Sequence, residues 1–208
     1  SELVALESEL RRALERNEIE VHYQPIARLI DMDLAGFEAL VRWRHPVLGL
    51  LAPASFLGLA EQTGMIKDIG RFVLNEATHQ LGIWQRAFRP NSPVFMAVNV
   101  SASQLVETDL VLDIRAAIGR EAVYKQTLKI EITESVVMQS PERAAGILEQ
   151  IKHLGVGLAC DDFGHGYSSL STLRNLPFDP LNVGRSLLGL VPAADGAAVI
   201  RDAPHSCA

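Results

Sequence analysis

The spacing of hydrophobic positions changes several times along the chain. Over 2–17 it is helical: Leu3, Leu6, Leu10 and Leu14 form one stripe, with Glu2, Glu7, Arg11, Arg12 and Glu15 opposite. That spacing predicts an amphipathic helix. The period then falls to two. Val21 and Tyr23 alternate with His22 and Gln24, which predicts a strand over 20–26 ended by Pro25. Residues 31–34 read as a turn. A second strand follows over 35–43, carrying Glu38 and Arg42, then a loop from Arg44 to Gly49. Pro53 opens a helix to residue 63. A longer helix spans 66–88, with Ile69, Phe72, Val73, Leu81 and Trp84 facing a core. Arg89-Pro90-Asn91-Ser92-Pro93 interrupts it.

The second half repeats the pattern. A nearly all-apolar strand over 94–100 ends in Asn99-Val100-Ser101, and short helices occupy 103–120. Leu-Lys-Ile-Glu-Ile-Thr over 128–133 is the next strand, and 141–154 a helix with Pro141 in its first turn. A fifth strand runs through Gly157 into Asp161-Asp162, followed by the loop Phe163-Gly164-His165-Gly166 and a short helix over 168–175. A sixth strand is expected over 180–185. Apolar strands alternating with helices predict an α/β fold, with a mainly parallel sheet covered by helices.

Composition narrows the function. The 208 residues suit one domain, 1–208, and the net charge of −6 argues against a DNA, RNA or membrane-surface binder, which would present a basic face. Two cysteines, Cys160 and Cys207, show neither metal spacing nor a disulfide framework, so a reducing cytoplasmic setting is expected. Cys160 reads as a small core residue. No run of about 18 apolar residues suggests a membrane span.

Candidate chemistry collects at strand ends. Glu38, Asn99, Glu131 and Asp161 each lie at or near the carboxyl end of a predicted strand, with Asp162 beside the last. Carboxylates and an amide make a hard oxygen donor set, which suits Mg²⁺, Mn²⁺ or Ca²⁺ rather than Zn²⁺. Without a cation or arginines, converging carboxylates would repel and raise one another's pKa. The plainer alternative is that each caps a helix or pairs with a surface cation, and Asp161-Asp162 by itself also fits an Asx turn. Arg42 shares a face with Leu40 and is suited to bidentate phosphate contact, although a surface ion pair is the simpler role for a single Arg. Gln24 could read a base edge or satisfy backbone. His45 and His165 read as loop residues rather than ligands.

These residues together resemble the EAL domain family, bacterial phosphodiesterase-type domains acting on cyclic di-GMP. The resemblance rests on Tyr23-Gln24-Pro25-Ile26, Glu38-Ala39-Leu40-Val41-Arg42-Trp43, Asn99-Val100-Ser101, Glu131-Ile132-Thr133-Glu134 and Asp161-Asp162-Phe163-Gly164, in that order. It covers residue 2 to about residue 202, leaving a dissimilar tail over 203–208. It implies a TIM-type (β/α) barrel with one reversed strand and a site at the carboxyl ends. It also implies metal ligands Glu38, Asn99, Glu131, Asp161 and Asp162, and ligand contacts from Gln24, Leu40 and Arg42. Glu134 would hold the Asp-Asp-Phe-Gly loop. The implied cofactor is Mg²⁺ or Mn²⁺, with Ca²⁺ an inhibitory substitute, and the implied reaction is hydrolysis of cyclic di-GMP to pGpG.

The chain departs from the family pattern after residue 180. Asn182 and Gly184 replace the expected Lys and Asp, and the later Glu-Gly-Val-Glu and Gln-Gly-Tyr segments have no counterpart. Loss of one preorganised electrostatic group commonly costs about 10²–10³ in rate. About six of eight barrel strands are therefore expected, with open edges covered by a homo-oligomer or a protein partner. A truncated or frameshifted gene would also give such a tail. Three functions follow: a cyclic di-GMP and divalent-metal binding or regulatory module with impaired catalysis, an active phosphodiesterase, or a nucleotide-independent interaction scaffold. Confident catalytic residues are not identified.

Overall fold

Alternation along four parallel strands decides what faces what. The computed structural model describes residues 2–27, 31, 33–87, 93–107, 109–161 and 176–179. The strands are β1 (Ile19–Ala27), β2 (Leu34–His45), β3 (Gly49–Leu51), β4 (Phe95–Asn99), β5 (Leu128–Thr133) and β6 (Gly157–Asp161). The sheet order is β1-β2-β4-β5-β6, with β3 paired to β2 as a hairpin. β2, β4, β5 and β6 run parallel, and β1 is antiparallel to β2. This is the expected mainly parallel α/β sheet with its first strand reversed, and the short β3 adds a second antiparallel strand as the arm of the β2 hairpin.

One face of the sheet is apolar. Trp43, Met96, Val98, Leu128, Ile130, Ile132, Leu158 and Cys160 are all at most 2% exposed. They pack under α3 (Ile66–Ala87), α5 (Leu110–Glu121) and α7 (Pro141–His153), through residues such as Leu74, Leu81, Ile114, Leu148 and Ile151. Each large side chain removed from water contributes about 1.5–3 kcal/mol. Cys160 is buried, in keeping with its reading as a core residue. The opposite face carries the polar strand residues taken up below.

The order and type of the main elements follow the sequence pattern, and the boundaries differ for local reasons. The first helix, α1 (Glu2–Ala13), stops short of Asn17, which adopts a left-handed φ of 54° and turns the chain into β1. Pro25 does not end β1. Among the described residues that strand pairs only with β2, so a residue without an N–H is tolerated on its outer edge, and the register shifts only after Ile26. The segment after Arg44 is a tight hairpin rather than a loop. The helix expected from Pro53 is divided into a 3₁₀ turn, Pro53–Ser55, and α2 (Leu57–Gln62). The helices α4 (Ala102–Glu107) and α6 (Glu134–Gln139) complete the set, and α6 had no counterpart in the sequence reading. The expected helix over 168–175 and strand over 180–185 lie outside the described residues. None of the described helices is long and apolar enough to cross a membrane.

The outer edge of β6 is partly occupied. The Asp179 N–H donates to the Leu158 carbonyl at 2.9 Å, and the Leu158 N–H donates to Asp179 Oδ2 at 2.7 Å. Lys152 of α7 pairs with the same carboxylate. One side chain thus satisfies the strand and ties it to its covering helix.

Gly36 is fixed by close approach. A Cβ there would lie 2.5 Å from the Phe95 carbonyl oxygen and 2.6 Å from its ring. Because backbone is what it meets, Gly36→Ala is expected to destabilise the fold by about 1–3 kcal/mol. A urea midpoint equal to that of the parent protein would show that β2 and β4 are not so tightly apposed.

Candidate functional site

Register brings the candidate residues to one face. Gln24 pairs with Glu38, His22 with Leu40 and Glu20 with Arg42 across β1 and β2. Glu38 pairs with Ala97, and Asn99 stands two positions further along β4. Asn99 pairs with Glu131, and Glu131 with Ala159. Paired residues share a face, as do residues two apart. Gln24, Glu38, Leu40, Arg42, Asn99 and Glu131 therefore all lie opposite the apolar core. Asp161 ends β6 two positions beyond Ala159. Asp162 and His165 lie outside the described residues.

Contacts tighten this set. Asn99 Nδ2 donates to Glu38 Oε1 at 2.8 Å, joining β2 to β4 at the rim. Glu131 is only 1% exposed. A carboxylate so deeply buried is costly to keep charged unless hydrogen bonds or a cation compensate it. Two carboxylates and an amide oxygen are a donor set that Mg²⁺ or Mn²⁺ accepts. Among the described residues, no group of three or more His, Cys, Asp and Glu could hold a metal ion. Glu38, Asn99 and Glu131 together place two carboxylates and one amide on this face.

Other candidates take distinct places. Leu40, Asn99 and Glu131 help line a cavity of about 530 Å³ that reaches α3 and α4, a size within the range of small-molecule sites. Arg42 is half-buried, and its Nη1 donates to the Val41 carbonyl at 2.9 Å. Glu20, opposite Arg42, has its carboxyl held below the usual range by hydrogen bonds from His22 and then Arg44. Glu134 opens α6 and is 5% exposed; the loop it was expected to hold lies outside the described residues. Lys129, two positions before Glu131, places Nζ 3.9 Å from the centre of the Phe95 ring.

His45 is not a ligand of this site. It is 4% exposed, and its Nδ1 accepts N–H groups from Val47 and Leu48, each at 3.1 Å. That nitrogen must be unprotonated, so Nε2 carries the hydrogen and donates to Glu9 Oε2 at 2.8 Å. The ring shapes the β2–β3 hairpin and fastens it to α1. Sequence reading named Ser101 without its capping role and passed over Gln104, although Ser-x-x-Gln after a strand is a recognisable helix-start signal.

Known proteins resemble this chain in sequence and in fold. The profile of the EAL domain family matches residues 7–207. The chain is 43% identical over 189 residues to the cyclic di-GMP phosphodiesterase NbdA of Pseudomonas aeruginosa, covering 91% of this chain and 24% of that protein. It is 40% identical over 200 residues to the bifunctional diguanylate cyclase/cyclic di-GMP phosphodiesterase MucR of the same organism, covering 96% and 29%. The chain thus spans about a quarter of the length of these curated relatives. The solved structure of the PaMucR phosphodiesterase in complex with c-di-GMP superposes with a TM-score of 0.82 at 40% identity, covering 91% of this chain and 74% of that one.

The Asn99–Glu38 contact makes a pH-dependent test. Asn99→Asp places a second carboxylate beside Glu38 Oε1, and two such groups share a proton more readily than either ionises alone. The folded-state pKa of the pair then rises above its unfolded value. In metal-free buffer the variant should match the parent best below about pH 4, where the carboxyls are protonated in both states, and the deficit should grow to a plateau by about pH 7. Asn99 is exposed, so the loss should stay within about 1 kcal/mol. Melts whose difference does not grow between these pH values would show that the two groups are not adjacent in solution.

Proposed function

The chain belongs to the EAL domain family, and on that premise we propose that it binds cyclic di-GMP with a divalent cation while turning it over slowly or not at all. The observation that carries this reading is the run of registers placing Gln24, Glu38, Leu40, Arg42, Asn99 and Glu131 on one face of the sheet, with Asn99 at the carboxyl end of β4 and Glu131 paired beside it on β5. Acidic and amide oxygens for a cation stand there beside a guanidinium suited to phosphate.

In this proposal Glu38, Asn99, Glu131 and Asp161 hold a first Mg²⁺ or Mn²⁺, and Asp162 belongs to a second. The bound cation would supply positive charge against the phosphodiester and act as a Lewis acid. Arg42 contributes a fixed cation to one phosphate, Gln24 a hydrogen-bonding amide to a guanine edge, and Leu40 an apolar floor. Glu134 positions the loop after β6. The local arginine and the cation reconcile an anionic ligand with a chain of net charge −6.

Slow turnover is inferred from the sequence after the described sheet. Asn182 has no positive charge and Gly184 has no side chain, at the positions where the family pattern has Lys and Asp. Such groups act as a unit with the metals, so their separate losses need not multiply. The names of the relatives favour a second reading, in which hydrolysis persists and yields pGpG. The further expectations are a cytoplasmic setting and a homo-oligomer or partner at the sheet edge.

Equilibrium dialysis against cyclic di-GMP with Mn²⁺ separates the readings, with both compartments analysed by ion-exchange chromatography over time. Excess intact nucleotide on the protein side is the expected result. Arg42→Ala should weaken it by about 10-fold or more, as loss of a charged hydrogen bond of about 1.5–3 kcal/mol implies. Glu38→Ala or a chelator should abolish the dependence on Mn²⁺. Accumulating pGpG, absent in Glu38→Ala, would establish the second reading. Equal, uncut nucleotide on both sides would refute binding altogether.

A further inference from the structure

A mid-helix glycine and a buried glutamine meet in the wall of the cavity that Asn99 and Glu131 line. Gly70 lies within the 22-residue α3, where glycine costs about 1 kcal/mol relative to alanine. A Cβ at Gly70 would lie 1.7 Å from Gln104 Nε2 and 2.7 Å from its Cδ. The missing side chain is the space that the Gln104 amide fills. Gln104 is 7% exposed.

The same glutamine completes a reciprocal cap. Gln104 Oε1 accepts the Ser101 N–H at 3.1 Å, and Ser101 Oγ accepts the Gln104 N–H at 3.4 Å. Ser101 is the residue before α4, and Gln104 is the third residue of that helix. This is the capping-box arrangement. It lies two residues beyond Asn99. Between them the Val100 N–H donates to the Glu131 carbonyl at 2.9 Å, continuing the β4–β5 ladder by one step. The direction in which the chain leaves β4 is therefore set by three fixed points: the β5 backbone, the Ser101 cap and the Gly70 notch.

We propose that Gln104 is a positioning residue, seated in the notch at Gly70, that fixes the orientation of the Asn99 side chain towards Glu38. This rests on the reading of Asn99 as a member of the metal site, but the geometric claim can be tested without it. Gln104 acts on Asn99 through the turn at Val100 and Ser101. α3 thereby becomes part of the support of the site, although none of its residues is among the ligands.

The test uses the full chain labelled with ¹⁵N. The side-chain NH₂ signals of Asn99 are identified by their loss in Asn99→Asp. Gly70→Ala and Gln104→Ala should each displace those signals and weaken Mn²⁺ binding by about 10-fold, the scale found for residues that support metal ligands. Gly146→Ala, on α7 with open space around its Cα, should do neither. In the Gln104→Ala background, Gly70→Ala should produce no further displacement, because the group it would strike is gone. A role confined to overall stability would lower melting temperatures and leave the Asn99 signals in place at low temperature. Unmoved Asn99 signals in both single variants, or an undiminished effect of Gly70→Ala in the Gln104→Ala background, would overturn the proposal. If Mn²⁺ fails to broaden the Asn99 signals of the parent protein, the metal reading falls, while the displacements still judge Gln104.

Discussion

Glu131 is a carboxylate at 1% exposure on a strand whose flanking residues, Ile130 and Ile132, are buried in the apolar core. Only strict alternation keeps those neighbours apart. A slip of one residue in β5 would carry Glu131 into the helix-packed layer and expose two isoleucines on the polar face. The same registers that bury Met96, Val98, Leu158 and Cys160 therefore place Glu38, Asn99 and Glu131 together. Apolar burial is large and non-directional, yet through the pleat it fixes polar groups to a hydrogen-bonding distance. The 2.8 Å bond between Asn99 and Glu38 is its most local expression.

The site's electrostatics follow from that enforced proximity. Two carboxylates are held on one face by forces that do not depend on their charge. The neutral Asn99 donates to one of them, which moderates the repulsion. On the proposed reading, a divalent cation and Arg42 would add positive charge from two directions. The proposed ligand brings phosphates to the same region, so cation and nucleotide should reinforce each other in binding.

Much of this was legible from residues alone, where the pattern was periodic or the chemistry unusual. The strand end at Asn99 could be read because an apolar run stopped on a polar residue, and Glu131 stood out as an acid between two isoleucines near the end of its strand. The reversed β1 was implied only by family resemblance, since alternation in Val21 and Tyr23 carries no information about direction. Pro25 misled because its cost depends on whether its strand is internal, a tertiary fact. His45 looked like a loop residue because the hydrogen bonds that define its role go to Val47, Leu48 and Glu9, and the last lies 36 positions away. Gly70 gave no signal of its purpose, because the glutamine that needs the space belongs to another helix.

The division between the retained and altered parts of the chain has a physical consequence. β2, β4 and β5 each have strand neighbours on both sides, and they carry Glu38, Asn99 and Glu131. Their geometry is over-determined by paired backbone, by the core beneath and, for Asn99, by the cap at Ser101. β6 has one strand neighbour among the described residues and takes further support from Asp179 and Lys152. The altered positions Asn182 and Gly184 come later still in the chain. A cation held mainly by the internal strands should tolerate changes beyond β6 far better than a reaction needing groups from both sides of the ligand. On the proposed reading, binding is the function that such an arrangement would keep longest, because it would draw on the half of the site that the core itself holds in place.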